Sequence, residues 1–223
     1  MLKNSWPILI IVLAILAFFH PVWLRGLVPL PADIVVGTYF PWLDYKWGYP
    51  VGVPVKNPIS SDSISFSFPM RTLAIDLLKS GQLPLWNPYI LFGTPLLANF
   101  QSAPFSPTNF VYWIFDSLTS WSIQVMLQHF LAAFFTFLLL RSWKVSNIAS
   151  VAGGLIFAFA GFNLIWSQWN AHTLASAFIP LIIFFADRLG KTGQWWAGFG
   201  LSVAIAFQIF SGYPQIVFYS LLT

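Results

Sequence analysis

The chain alternates between long apolar runs and one long stretch that breaks the pattern. Trp6–Leu24 is apolar almost throughout and matches the roughly 20 residues that a bilayer requires. Four more runs follow, Trp121–Leu140, Ile148–Trp166, Ala171–Ala186 and Trp195–Phe210, and each reads as a membrane-spanning helix. The fourth and fifth spans are short and Pro180 interrupts the fourth, as in spans held inside a bundle, where neighbours satisfy the freed backbone groups. "PQIVFYSLLT" at the end predicts the start of a sixth span, and with it the N-terminal part of a longer chain. Lys3 precedes the first run as in a signal peptide. That run, however, ends in "FFHPVWLRG" without a small-residue cleavage pattern, so it reads as an anchor.

Residues 25–120 break the apolar pattern, and twelve of the sixteen prolines fall between Pro29 and Pro107. Such a stretch is too long for a mere connection. Pro69–Lys79 predicts an amphipathic helix, with Pro69 at its first position and Gly81 just past its end. Met70, Leu73, Ala74, Leu77 and Leu78 form its apolar face, with Arg71, Thr72, Asp76 and Lys79 off that face. This helix is expected on the membrane surface or on the bundle. Asn109–Leu118 predicts a second, aromatic interfacial helix leading into the second span. Between them "LPLWNPYILFGTPLLANFQSAPFSP" carries five prolines and no charge, and reads as a rigid frame packed on the bundle end.

Composition confirms the class. Of the 223 residues 58% are hydrophobic and only 7% charged, far below the roughly 25% of soluble domains. The expected architecture is therefore an all-α polytopic membrane bundle of about five spans plus the start of a sixth. Its parts are 1–24 (first helix), 25–120 (external loop) and 121–223 (remaining helices). Ten basic residues are scattered singly, which excludes a nucleic-acid patch. Lys3, Arg141, Lys144, Arg188 and Lys191 share one side, while the "SQWNAH" turn is uncharged, so the positive-inside rule puts the N-terminus in the cytoplasm. The long loop is then external. The absence of cysteine excludes disulfides and thiolate metal sites.

Three stretches carry a resemblance: "PADIVVGTYFPWLDYKW", "SDSISFSFPMR" and "SGQLPLWNPYILFGTPLLANFQSAPFSP". They resemble the bacterial YfhO-type membrane proteins, within the wider GT-C class of polytopic glycosyltransferases. "GYPQ" at 212–215 is similar to a "GHPQ" of that family, with Tyr213 in place of the histidine; Phe66 stands where glutamine is common. The resemblance implies a GT-C-like fold in a bacterial plasma membrane and a polyprenyl-phosphate sugar as donor. It also implies transfer to a cell-envelope glycan, polymer or protein on the external face. An essential aspartate in the first external loop is part of what it implies, and Asp33 matches that placement best, with Asp62 second.

Sugar transfer from a lipid phosphate needs a carboxylate near the acceptor hydroxyl and the anomeric carbon. It also needs a cation at the leaving phosphate: Arg, Lys, His or a divalent metal such as Mg2+ or Mn2+. Asp33 and Asp62 are the candidate catalytic carboxylates, with Arg71 or His172 at the phosphate and Asn87 and Gln101 as further binding residues. Each has a plainer alternative. Asp62 in "SSDSIS" suits a cap and Asp33 a turn after Pro31. Arg71 suits the polar face of its helix, and His172 a helix start or a snorkelling position. Asn87 and Asn99 suit turn backbone beside Pro88 and Leu97. Two aspartates do not define a metal ligand set. A transporter or lipid flippase, or a non-catalytic envelope protein, is the alternative. Transport predicts ionisable groups at the midplane, where the spans offer only Gln128 and His129, with Gln208 nearer an end.

Overall fold

A computed structural model describes residues 5–222 of the chain. Helices dominate it. The first apolar run forms two helices, α1 (Trp6–Phe18) and α2 (His20–Arg25), instead of one continuous helix. The break at Phe19 has a local cause, because Pro21 donates no N–H and its ring crowds the preceding turn. At the bundle centre stands α5 (Ser117–Ser142), against which pack α1, α6 (Asn147–Ala158), α8 (His172–Ala177) and α9 (Ile179–Thr192). α10 (Trp195–Phe210) lies on α9, and α11 (Pro214–Leu222) follows after a turn.

Two continuous helical runs have the length and composition to cross a membrane: α5, and His172–Thr192 formed by α8 with α9. A third is the pair α6 and Gly161–Trp169, which bends by 50°. That run was expected to be one span, Ile148–Trp166. It bends because Ala160 is extended ahead of α7 (Gly161–Trp166); at the break Phe157 O accepts both the Ala160 amide at 3.3 Å and Asn163 Nδ2 at 2.7 Å. α1 and α10 are apolar but shorter, at 13 and 16 residues. Close helix approach depends on small residues: a Cβ on Gly154 would stand 2.5 Å from Ala133 O of α5. Polar groups inside the helices tie elements together. Gln208 Nε2 bonds Ala175 O and Ser220 Oγ at 3.0 and 2.7 Å, and His129 is wedged between Phe19 and Phe159.

The segment 26–116 folds onto one end of this bundle. It contributes α3 (Asp33–Thr38), α4 (Phe68–Lys79) and a short hairpin, β1 (Trp86–Asn87) with β2 (Thr94–Pro95). α4 forms where Pro69 and Gly81 predict it, but Arg71 departs from its expected polar face. Met70 and Ala74 pack on Leu96 of the proline-rich segment, while Ile75 packs on Val111 and Tyr112. Arg71, one turn before Ile75, shares that second face and is wholly buried. α4 is thus held between the proline-rich segment and the bundle. At Gly212 (φ 94) the turn after α10 touches the same segment, and a Cβ there would stand 2.6 Å from Phe100 O.

The second interfacial helix, expected at Asn109–Leu118, is not one element. A 3-10 turn covers Pro107–Trp113, and α5 starts at Ser117. Asp116 separates them: it is extended, and its Oδ1 accepts the Leu118 and Thr119 amides at 3.0 Å each. These bonds, with that of the Thr119 side chain first, hold its carboxyl below the usual aspartate range. A depressed folded pKa means that the stabilisation is complete above the unfolded value near 3.9 and is lost as pH falls through the folded value. Melting temperatures of the wild type and Asp116→Asn, measured between pH 7 and 2.5, should diverge at neutral pH and converge at the acid end.

Candidate functional site

Among the sequence-derived candidates, Asp33 lies in the most polar cleft. It is the first residue of α3, where a negative charge suits the helix dipole. Gly37 lets α3 close on the following segment: a Cβ there would meet Val55 Cγ2 at 2.7 Å and Val53 O at 2.8 Å. That approach brings the Lys56 amide to Asp33 Oδ2, at 2.9 Å. Oδ1 carries no hydrogen bond from any described residue. The carboxylate is thus fixed through one oxygen and open through the other.

The cleft has a volume of about 430 Å3. Its polar rim is Asp33, Lys56, Asn57, Ser60, Ser167 and Gln168; Val28–Pro31, Leu164 and Ile165 form its apolar side. The rim is locally braced. Asn57 Oδ1 accepts the Ile59 amide at 3.2 Å, and Ser60 Oγ donates to Asn57 O at 2.8 Å. From the bundle, Gln128 Nε2 donates to Ser167 O at 2.6 Å and holds the turn after α7. Ile165 is 61% exposed on the outer wall of α7, so the apolar side runs out onto the helix surface.

The other candidates are dispersed around the same end. Asp62 is exposed, makes no cap bond and does not line the cleft, though Ser60 two residues away does. Arg71 is interior: Nη1 donates to Asn170 O at 3.1 Å and, at 3.4 Å, to Gln124 Oε1. Gln124 in turn donates to Thr108 Oγ1 and Asn109 Oδ1 at 3.1 and 2.9 Å. Asn87 accepts the Tyr89 amide at 2.9 Å and donates to Met70 Sδ at 3.2 Å, at the edge of a separate cleft with Thr72 and Asp76. The Gln101 side chain is half-buried and makes no hydrogen bond among the described residues. His172 is buried between Trp166 and Tyr213, with ring centroids 4.5 and 3.7 Å away.

Sequence reasoning missed Lys56, Asn57 and Ser60 because only the closure of α3 at Gly37 brings residues 23 and more positions downstream to Asp33. No group of three or more His, Cys, Asp or Glu gathers among the described residues, and Asp33 is the lone carboxylate lining its cleft. These residues do not make a divalent-cation site by themselves. No family model, curated protein or solved structure matches the chain.

Proposed function

We propose that this chain is a glycosyltransferase of the cell membrane that works at the extracytoplasmic end of its helix bundle. Five spans enter this reading: α1 with α2, α5, α6 with α7, α8 with α9, and α10, followed by the start of a sixth in α11. The N-terminus is cytoplasmic and the segment 26–116 external. One observation carries the reading. A carboxylate with one oxygen fixed and one open stands in a cleft that is polar on the loop side and apolar on the helix side. That division suits a polyprenyl-phosphate sugar, whose chain lies along Leu164 and Ile165 while the sugar enters the polar half.

In this reading Asp33 Oδ1 takes the proton of the acceptor hydroxyl as that oxygen attacks the anomeric carbon. The bond from that carbon to the phosphate oxygen breaks, and its electron pair leaves with the lipid phosphate. Lys56, which lines the same cleft, is the cation available to the departing charge. Gln168 and Asn57, which line the same cleft, bond sugar hydroxyls in this reading. Asp62 and His172 lie outside this set, and Arg71 serves in the interior. The test is transfer by the full-length protein, in vesicles, from polyprenyl-phosphate sugars to an envelope acceptor. No transfer from any such donor would sink the reading.

A further inference from the structure

Arg71 is 0% exposed, and no carboxylate offsets its charge, since the ion pair among the described residues is Lys191–Asp187. Its Nη1 is engaged by Gln124 and Asn170. Among the described residues its Nε and Nη2 meet no acceptor. These two nitrogens form one edge of the guanidinium, with N–H bonds that point the same way. The guanidinium lies over the Trp121 ring at 5.9 Å, and the Trp121 Nε1 and the Tyr112 hydroxyl are likewise buried without partners among the described residues. Arginine and indole N–H groups are donors only, and a phenol can donate. The Arg71 and Trp121 nitrogens therefore need an acceptor, and the Tyr112 hydroxyl can donate to one. A buried positive charge without an opposite one is costly, which favours a negative acceptor over a neutral one.

We propose that this interior binds a small monovalent anion of the chloride class on the Nε–Nη2 edge of Arg71. Enclosure selects the class. Arg71 and Tyr112 are 0% and 1% exposed, so a lipid phosphate or a docking peptide carboxylate has no approach. Burial pushes the Tyr112 phenol up to about 12, which keeps it a neutral donor at physiological pH. Burial also works against the Arg71 charge, and a neighbouring anion would oppose that effect. The role is to lock α4 to α5 and to the turn at Asn170, the contacts that seat the external segment on the bundle.

The experiment measures melting temperature for the full-length protein in chloride, bromide and gluconate at matched ionic strength. Halide should raise the wild-type midpoint saturably by about 2–4 °C over gluconate, and Arg71→Met should abolish the response. Bromide anomalous scattering should show a peak beside Arg71 Nε, a readout that holds even if Arg71→Met does not fold. Equal midpoints in halide and gluconate, an unchanged response in Arg71→Met, or no anomalous peak would overturn the site. Because none of these readouts is sugar transfer, failure here leaves the transferase reading standing.

Discussion

Asp33→Asn should reduce sugar transfer by about 10²- to 10⁴-fold, the range contributed by a positioned general base. The substitution preserves size and keeps an oxygen that accepts the Lys56 amide, the one hydrogen bond the carboxylate makes among the described residues. What it removes is the basic oxygen facing the cleft. Insertion, expression and melting temperature should stay at wild-type values, so that the loss is chemical. Asp62→Asn serves as the comparison: Asp62 is exposed, uncapped and outside the cleft, and its loss of rate should be much smaller. Equal losses in the two variants would remove the distinction drawn between them. Full activity in Asp33→Asn would remove the base.

Trp121→Ala should be the most destabilising single change, at about 3–5 kcal/mol. Trp121 is 0% exposed and stands near the start of α5, where the segment 26–116 meets the bundle. Phe68 of α4 meets it edge-on with ring centroids 5.3 Å apart, Arg71 lies over it, and its carbonyl accepts Asn170 Nδ2 at 3.2 Å. Removing the ring leaves a cavity beneath a buried cation, and so costs more than the lost apolar contacts alone. A drop of about 10 °C in the melting temperature is expected. Trp121→Phe, which refills most of the volume, should recover more than half of it. A midpoint within 2 °C of wild type for Trp121→Ala would mean that this junction does not hold the two parts together.

How far the sequence could be read depended on whether the cause was local. Pro69 and Gly81 bracket α4 within a residue of where they predict it, because first-turn proline and the stop after the last turn act on their own backbone. Apolar runs located the described helices of the bundle, yet two of them break, one ahead of Pro21 and one at Ala160, where Asn163 Nδ2 joins the Ala160 amide on Phe157 O. Arg71 shows the limit more sharply. Its spacing puts it off the apolar face of α4, but Gln124 of α5 and the Asn170 carbonyl give a polar interior for it to enter. Nothing within α4 announces them. Asp33 is singled out by the family resemblance and its place soon after the first apolar run, whereas the side chains that share its cleft, Lys56 and Gln168 among them, come together only through tertiary approach.

Everything proposed for Asp33 requires its cleft to open to the outside of the cell. The chain has no cysteine, so single substitutions label without background. Lys56→Cys places an exposed thiol on the cleft rim, and Lys191→Cys places one near the opposite end of α9. On intact cells a membrane-impermeant maleimide should label Lys56→Cys fully and Lys191→Cys only after permeabilisation. Labelling of Lys191→Cys on intact cells, with Lys56→Cys protected, would put the cleft in the cytoplasm and contradict the account.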